Sequence, residues 1–442
     1  MSDEVTIGGF GGSLRVDNVQ ALAGRVSSEI PERYVRPERK EEDAVDVNGH
    51  DVSEIYSIPI IDFSRLANPV SSKEETAKLH SACEDWGFFQ LVNHGVPEEI
   101  INRMKQNTEE FFKLPLEEKE AFAQLPGQIE GYGQAFVQSE EQKLDWGDIL
   151  FLGTLPPSVR QMRFWPTNPT SFRETIHEYA IELKKVSDLL LQKMSQNLGL
   201  EPEKLYDLFN DGIQAIRFNY YPPCPSPEKV LGLSPHSDAV GLTLLLQVNE
   251  QQGLQIRRKG GWLPVKALPQ AFIVNIGDIV EILTNGRYKS IEHRAVVSNE
   301  KERLSVAGFL SLRIGRMVEP IPELVKEEGL LYRSITFEEY VADLFKRVQA
   351  DSRRSQASEK HFFPPAPSAS GRRLPRRPPP DPPPNQTWVR PTSQIRARVP
   401  PGLIDPHQSC DQRRPAGRTN PRPVMSATRA DHADCTNPRH CD

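Results

Sequence analysis

Apolar residues in the first half of the chain recur mostly at helical spacing. Residues 74–86, 97–114 and 171–198 place an apolar side chain every three or four positions, which predicts amphipathic helices packed on a core. Residues 58–63 and 87–95 are short apolar runs rich in β-branched and aromatic side chains, and they predict buried strands. This half of the chain is therefore expected to be helical, with two strands.

After residue 212 the apolar pattern changes to a period of two and to short runs. Turn residues such as Gly260-Gly261 and Asn285-Gly286 separate these runs. Many short strands that are broken by Gly and Pro turns predict an all-β sandwich or barrel. The predicted strands are residues 215–221, 241–247, 254–257, 262–265, 272–276, 293–297 and 304–312.

Composition excludes several classes of protein. The 442 residues are 37% hydrophobic and 26% charged with a net charge of -6, so bulk charge does not favour a nucleic-acid partner. No apolar run reaches the roughly 20 residues that span a bilayer, and the first residues lack the basic and apolar regions of a secretory signal. Only Cys83 and Cys224 precede residue 400. We therefore expect a cytoplasmic monomer without a disulfide framework and without a membrane partner.

The last part of the chain has a different composition. Residues 351–442 hold 16 basic and 8 acidic residues, and 18 of the 39 prolines. A segment of this kind cannot bury enough apolar surface to fold. An SH3-type ligand or an RNA-binding tail would fit an Arg/Pro-rich sequence, but translated non-coding or mis-spliced sequence is the interpretation we favour.

Two histidines and one aspartate form the most specific chemical pattern in the chain. His236 and Asp238 lie two residues apart, so on a strand they share a face. His293 opens a later predicted strand and could supply a third ligand. Two imidazoles and one carboxylate are the ligands of a mononuclear non-haem iron(II) site, with three coordination positions left open. A catalytic zinc site also uses three protein ligands, so ligand types alone leave zinc open.

A possible binding site for an oxo-acid follows the third of these residues. Arg303 and Ser305 are two apart on the next predicted strand, and a guanidinium matches a carboxylate with two parallel hydrogen bonds. Asn219 and Tyr221, also two apart, could face the same cavity. The ordered set of His-x-Asp, His and Arg-x-Ser predicts an oxygenase that uses iron and 2-oxoglutarate.

With these residues in place, the chain resembles the plant 2-oxoglutarate/Fe(II)-dependent dioxygenases. It is most similar to the subgroup that holds codeine and thebaine O-demethylases, norcoclaurine-synthase-like proteins and senescence-related proteins. The resemblance runs from about residue 10 to about residue 350. The matching segments are Ile58-Pro-Ile-Ile-Asp-Phe63, Trp86-Gly-Phe-Phe-Gln-Leu-Val-Asn-His-Gly95, Glu130-Gly-Tyr-Gly-Gln-Ala-Phe136, Leu144-Asp-Trp-Gly-Asp148, Asn219-Tyr-Tyr-Pro-Pro-Cys-Pro225, His236-Ser-Asp238, Asn275-Ile-Gly-Asp278, Leu283-Thr-Asn-Gly-Arg-Tyr-Lys-Ser290, His293-Arg294 and Arg303-Leu-Ser305.

The resemblance implies a mixed α/β fold. Its centre would be a double-stranded β-helix, or jelly roll, with a helical N-terminal region packed against it. Residues after about 350 depart from the family pattern, and their composition predicts a disordered C-terminal tail. We accordingly divide the chain into an arm (1–50), a mostly helical region (51–205), a jelly-roll catalytic domain (206–348) and the tail (349–442).

The resemblance also implies roles for the residues in the pattern. His236, Asp238 and His293 would bind Fe(II), and Arg303 and Ser305 would bind the 5-carboxylate of 2-oxoglutarate. Asn219 and Tyr221 would make further contacts to that co-substrate. Dioxygen would be consumed, succinate and CO2 released, and ascorbate would serve as reductant. A small plant metabolite (an alkaloid, flavonoid or hormone) would be hydroxylated, O-demethylated or desaturated.

Two other functional classes compete with this one. A zinc hydrolase would use the same three ligands, but no general-base motif is visible. An altered jelly-roll protein would bind or condense small metabolites without oxidising them, as the norcoclaurine-synthase label suggests. The intact pattern argues against the altered protein.

Four further residues are candidates for substrate contact. Arg217 lies two residues before Asn219, and Phe309 lies six residues after Arg303, so both could share an inward face. Tyr132 and Phe136 lie in or just after a Gly-rich segment that could form a lid or a pocket wall. The alternative for each is an ordinary place in the core or on the surface, since aromatic residues fill cores in any case.

Overall fold

The computed structural model describes residues 13–25, 29–36, 57–134, 137, 139–325 and 329–351, and side chains as far as residue 344. These residues belong to one compact unit, 1–373, while a second unit, 374–442, lies outside the described part of the chain. The predictions made for Phe136, for most of the arm and for the tail after residue 351 therefore lie outside the described residues.

The largest element is an eight-stranded mixed sheet. Its strands follow the order β1-β2-β10-β7-β12-β5-β4-β3, and only β1 and β2 pair in parallel. Strands from the predicted regions 51–205 and 206–348 therefore share one sheet. The strands are β1 (Ile60–Asp62), β2 (Phe88–Val92), β3 (Gly131–Gly133), β4 (Asp148–Leu155), β5 (Ile213–Tyr221), β7 (Leu242–Gln247), β10 (Phe272–Ile276) and β12 (Arg303–Ser311).

A second sheet has four strands in the order β6-β11-β8-β9. Its members are β6 (Leu233–His236), β8 (Leu254–Arg258), β9 (Gly261–Pro264) and β11 (His293–Ala295). Two short strands, β13 (Met317–Val318) and β14 (Ile335–Thr336), form a separate pair. From β5 to β12 the chain alternates between the two larger sheets, apart from the β8–β9 hairpin. This alternation is the double-stranded β-helix, so the predicted fold class is confirmed.

Helices pack against the large sheet and share its hydrophobic core. The 26-residue helix α6 (Phe172–Asn197) buries a stripe that includes Tyr179, Leu183 and Leu190. Leu183 packs so closely on β12 that a Cβ on Gly308 would lie 2.4 Å from its Cδ1. The helices are α1 (Val19–Ala23), α2 (Phe63–Ala67), α3 (Ser72–Ser81), α4 (Glu98–Lys113), α5 (Leu116–Glu120), α6 (Phe172–Asn197), α7 (Glu203–Phe209), α8 (Asp278–Leu283), α9 (Pro322–Val325) and α10 (Phe337–Asp351).

The helix predicted for residues 74–86 is divided in two. Helix α3 ends at Ser81, and one turn of π-helix, Ala82–Trp86, follows it. Gly87 then turns the chain with φ +62°, and a Cβ there would lie 2.1 Å from the carbonyl oxygen of Lys289. Only glycine fits such a close approach with a left-handed backbone. The turn delivers β2 against the segment that leads to β11.

The Gly-rich segment near residue 130 also differs from its prediction. It holds the edge strand β3, which pairs with β4 and places Tyr132 opposite Leu150. Tyr132 is buried in the main core, where its ring lies 5.8 Å from that of Phe111. This part of the predicted loop is therefore a wall of the core.

None of the helices in the described ranges combines the length and the apolar character that are needed to cross a bilayer.

Candidate metal centre and oxo-acid site

The two histidines of the pattern lie side by side on paired strands. His236 ends β6, His293 begins β11, and the two residues are register partners with ring centroids 4.2 Å apart. Nδ1 of His236 lies 2.8 Å from the carbonyl oxygen of Ser234, and Nδ1 of His293 lies 3.0 Å from that of Ile291. A carbonyl only accepts, so each Nδ1 donates, and Nε2 is the ring nitrogen left to bind a metal.

Asp238 completes the group from a turn. Strand β6 ends at His236, so the shared face of a strand, which the two-residue spacing suggested, does not bring Asp238 to the histidines. Its Oδ1 lies 3.5 Å from Nε2 of His236 and 3.6 Å from Nε2 of His293. Oδ2 accepts hydrogen bonds from Thr243 Oγ1 at 2.6 Å and Asn275 Nδ2 at 2.8 Å. These two donors fix the carboxylate with Oδ1 toward the imidazoles.

The neighbouring strand and helix hold the turn that carries Asp238. The amide of Asp278 donates to the Asp238 carbonyl at 2.8 Å, and Ser237 Oγ donates to Oδ2 of Asp278 at 3.1 Å. Gly277 lies so close that a Cβ would be 2.0 Å from the carbonyl oxygen of Val240. Any side chain at position 277 would therefore displace the turn.

The electrostatics favour an ionised Asp238 beside the two rings. Burial alone would raise the pKa of this carboxyl, but His293, His236 and the Asn275 hydrogen bond outweigh it and hold the pKa well below its usual range. Burial likewise opposes charge on His236, and the hydrogen bond and charge of Asp238 reverse this, so its pKa is raised. Such a carboxylate has a strong preference for a nearby cation.

The donor atoms fit a divalent metal ion. One ligand atom from each of His236, Asp238 and His293 lies within 4.8 Å of the other two. Two imidazole nitrogens and one carboxylate oxygen on one side of an ion leave the other coordination positions open. The three residues could hold Fe(II) in this arrangement, and their atom types would also accept zinc.

A buried arginine lies at one end of the same cavity. Arg303 and Ser305 on β12 are the register partners of Tyr221 and Asn219 on β5. Arg303 is 2% exposed and donates from Nη2 to Oε1 of Gln247 at 3.0 Å. Burial lowers its pKa, and the neighbouring Tyr221 opposes that effect.

One polar atom of this arginine and one of its neighbour Asn219 lack hydrogen-bond partners. Nε of Arg303 and Oδ1 of Asn219 are buried without a hydrogen bond to any described residue. Leaving a buried donor or acceptor unpaired costs about 1–3 kcal/mol. Asn219 Nδ2 already donates to Ser305 Oγ at 3.2 Å. The unpaired Nε–H donor of the buried, positively charged Arg303 fits an anionic ligand such as a carboxylate.

Successive rows of side chains connect the arginine to the histidines. Asn219, Ser305 and Gln247 form one row across β5, β12 and β7, and Arg217, Ala307 and Leu245 form the next. Phe309 stands one row further along, opposite Thr243. The cavity is lined by Phe88, Arg217, Asn219, Tyr221, Leu233, His236, Asp238, Thr243, Leu245, Leu254, Asn275, His293, Arg294, Ala295, Arg303, Ser305, Ala307 and Phe309.

The substrate candidates divide according to this lining. Arg217 and Phe309 face the cavity. Tyr132 does not line it, because its side chain turns into the core and its hydroxyl is hydrogen-bonded to Asn18. Phe136 lies outside the residues that the structure describes.

Three residues that act on the site carried no role in the sequence interpretation. Thr243, Asn275 and Gln247 hold Asp238 or Arg303 in place. Each is a polar residue within or at the end of an otherwise apolar strand run, such as Val274-Asn275-Ile276. A polar residue in an apolar run could have indicated these roles, since a buried polar side chain needs a hydrogen-bond partner.

Comparison with known proteins agrees with the fold and the site. A family model for the non-haem dioxygenase N-terminal region of morphine synthesis matches residues 58–168, and one for the 2OG-Fe(II) oxygenase superfamily matches residues 212–312. S-norcoclaurine synthase 1 of Coptis japonica is 53% identical over 345 residues, which are 77% of this chain and 95% of that protein. Codeine O-demethylase of Papaver somniferum is 46% identical over 322 residues, 72% of this chain and 89% of the relative.

A solved structure of a relative shares the fold of this chain. The crystal structure of JOX2 in complex with 2OG, Fe and JA shares 40% sequence identity and a TM-score of 0.67, and the match covers 76% of this chain and 94% of that one. The predicted resemblance and enzyme class are therefore confirmed. The chain belongs to the 2OG-Fe(II) oxygenase superfamily and is a plant-type 2-oxoglutarate-dependent dioxygenase, an oxidoreductase that depends on iron and 2-oxoglutarate.

Proposed function

We propose that this enzyme oxidises a small specialised metabolite or hormone of plants by hydroxylation, O-demethylation or desaturation. The supporting observation is that one cavity holds both the His236, Asp238 and His293 group and the buried Arg303 with its unpaired Nε. A metal site alone would leave the reaction class open. The second group supplies the specific binding partner for an oxo-acid.

One group of residues would bind the metal and a second group would bind the co-substrate. His236, Asp238 and His293 would hold the iron, and Arg303 and Ser305 would bind the distal carboxylate of 2-oxoglutarate. Asn219 and Tyr221 would make further contacts to the co-substrate. The bound iron, with 2-oxoglutarate and dioxygen, supplies the oxidative decarboxylation to succinate and CO2 and the oxidation of a substrate C–H bond. The chain itself fixes the two ends of the co-substrate relative to each other.

Apolar side chains complete the cavity. Phe88, Leu245 and Leu254 line it between the polar groups. They exclude water from the place where a C–H bond would be oxidised, which protects reactive species from side reactions. Gln247 orients Arg303, while Thr243 and Asn275 orient Asp238.

Succinate formation tests this proposal. The protein is supplied with Fe(II), 2-oxoglutarate, ascorbate and air, and challenged with panels of alkaloids, flavonoids and hormones. We expect substrate-dependent succinate from the wild type and none from His236→Ala. His177→Ala is the control, because His177 pairs with Arg160 outside the cavity. Panels that raise succinate no further than in His236→Ala would refute the oxygenase function.

A second candidate function is condensation of small metabolites. It is favoured by the 53% identity to S-norcoclaurine synthase 1. Condensation needs neither dioxygen nor 2-oxoglutarate, so product formed under nitrogen without the co-substrate would support it. Product that appears only with both would support oxidation.

We also propose that the enzyme is a cytosolic monomer. The scarcity of cysteine before residue 400, where Cys83 and Cys224 are both buried, supports the reducing compartment. Light scattering on the purified chain checks the mass of 49.9 kDa that is expected for one copy.

A further inference from the structure

Arg217 places a second cationic side chain in the cavity. It lies on β5 in the row between the Arg303 end and Phe309, opposite Ala307 on β12 and Phe151 on β4. The small side chain of Ala307 leaves room for the long arginine to extend across the sheet face. Arg217 lines the same cavity as His236 and Asp238.

The guanidinium of Arg217 has no protein counter-charge. Its Nε is buried without a hydrogen-bond partner, and within the described part of the chain it takes part in no ion pair. Arg217 is half-buried, and a buried N–H donor that lacks a partner costs free energy. An arginine kept in this state is therefore expected to meet its partner in a ligand.

Asp238 is the only carboxylate among the described residues that line the cavity. Arg294 also lines it, but its guanidinium lies over the Trp262 ring at 4.2 Å and donates from Nε to Gln255 at 2.8 Å, and neither residue lines the cavity. The charged groups directed into the cavity are thus Asp238, Arg303 and Arg217.

A charge balance follows from these three groups. Bound Fe(II) contributes two positive charges and 2-oxoglutarate two negative charges. With Arg303 and Arg217 positive and Asp238 negative, the loaded cavity keeps one positive charge. In a low-dielectric cavity an uncompensated charge favours a ligand of opposite sign.

We propose that the oxidised substrate is a monoanion whose carboxylate is bound by Arg217, with an apolar body against Phe309 and Leu245. This inference rests on the proposed oxygenase function and specifies its substrate class. A guanidinium fork binds a carboxylate through two hydrogen bonds, which a neutral or cationic metabolite cannot reproduce. A cationic amine would instead be repelled.

The metal-proximal carboxylate of 2-oxoglutarate offers the same chemistry as the substrate carboxylate. The charge balance favours the substrate, because both carboxylates of the co-substrate are already counted against the iron and Arg303. The experiment below separates these two sources.

Binding without turnover tests the proposal. Protein loaded with Mn(II) and saturating 2-oxoglutarate is titrated calorimetrically with phenylacetic, 3-phenylpropanoic and 2-naphthoic acids, and with the methyl ester of each. Hydrogen bonds to charged groups contribute about 1.5–3 kcal/mol, so the wild type should bind at least one acid roughly tenfold or more tightly than its ester.

Variants assign the preference to one residue. Arg217→Met should abolish the difference between acid and ester, and Arg217→Lys should keep part of it, because lysine retains the charge but not the fork. Arg313→Met is the matched control: Arg313 is 60% exposed and pairs with Asp211, and the variant should behave as the wild type.

Several results would overturn the proposal. Equal affinity for every acid and its ester in the wild type would do so without any variant. A tenfold loss of 2-oxoglutarate affinity in Arg217→Met, measured without an acid, would assign the arginine to the co-substrate. Failure of the oxygenase function would appear separately, as absent succinate in the aerobic assay, while these binding ratios remained measurable.

Discussion

Thr243 Oγ1 donates a 2.6 Å hydrogen bond to Oδ2 of Asp238, and the other oxygen of that carboxylate faces both imidazoles. The threonine comes from β7 in the large sheet, whereas the histidines come from the small sheet. Asp238 is therefore oriented across the gap between the sheets. The geometry of the candidate metal centre depends on this contact as well as on the ligands.

Removing the Thr243 hydroxyl should weaken metal binding. Thr243→Val keeps the shape and the β-branch, and loss of such an orienting hydrogen bond typically lowers metal affinity about 10–100-fold. Titration with Co(II), followed by its absorption spectrum, measures the affinity. Thr154→Val is the control, since Thr154 is equally buried and bonds to Gln214 away from the cavity. Equal Co(II) affinity in the two variants would contradict the assigned role.

Gln247 should control the affinity for the co-substrate. It accepts a hydrogen bond from Arg303 at 3.0 Å, so Gln247→Met leaves the guanidinium charged but less well oriented. A lost hydrogen bond of about 1 kcal/mol corresponds to a roughly fivefold rise in the KM for 2-oxoglutarate, with kcat little changed. In Gln255→Met, which removes the partner of Arg294 instead, the KM should stay at the wild-type value. A KM unchanged in Gln247→Met would show that Arg303 needs no such support.

The strands were predictable because apolar alternation follows the backbone directly. Residues 272–276 match β10, and the predicted run from residue 304 begins one residue late for β12. The loop-borne part of the site was not predictable in the same way. Asp238 was expected on the strand with His236, but the strand ends first, and contacts to Asp278 and Thr243 place the carboxylate.

The alternation of side chains along a strand also does not show which of the two faces of the strand lines a cavity. Arg217 and Phe309 were expected on the inward face from even spacing, and the structure brings both to the cavity. For Tyr132 there was no such reference strand, and the pairing of β3 with β4 turns it toward Phe111. Contacts with residues far away in the sequence decide which way the side chain points, and these contacts cannot be predicted from a single sequence.

Asp148 should make stability fall as pH rises. It accepts hydrogen bonds from the amides of Val19 and Gln20 at 2.9 and 2.8 Å, yet burial raises its pKa to about 6. A raised carboxyl pKa means that the folded state binds the proton more tightly than the unfolded state. The stabilisation is complete below pH about 4 and is lost as pH rises through about 6.

Comparison with Asp148→Asn isolates this effect. The difference in unfolding free energy, wild type minus variant, should fall by roughly 1 kcal/mol between pH 5 and pH 7. Urea denaturation at each pH measures it, and Asp85→Asn provides a baseline at a less buried carboxyl. A difference that increases with pH would mean that the two amide hydrogen bonds dominate over burial.

Tyr340 should support the ligand turn from helix α10. Its hydroxyl donates to Oδ2 of Asp278 at 3.0 Å, and the same oxygen accepts from Ser237, the residue between His236 and Asp238. Tyr340→Phe should cost about 1 kcal/mol of stability and also weaken Co(II) binding severalfold, because it loosens Asp278.

Tyr332→Phe is the matched comparison for this prediction. Tyr332 donates to Oε1 of Glu281, one turn further along α8, at 3.0 Å. Its loss should lower the melting temperature to a similar extent with little change in metal affinity. Identical Co(II) affinities in the two tyrosine variants would show that α10 supports the fold alone.

The close approach of Gly277 to the Val240 carbonyl oxygen bears on how the sequences of other members of the superfamily are interpreted. A gene that retains both histidines and the aspartate passes any search for the metal ligands. If the position that corresponds to Gly277 has acquired a side chain, its Cβ would lie 2.0 Å from the Val240 carbonyl oxygen and 2.9 Å from that of Asp238, so the turn that carries the aspartate must shift. We therefore expect a side chain at position 277 to mark copies that carry every ligand but no longer hold the aspartate in place.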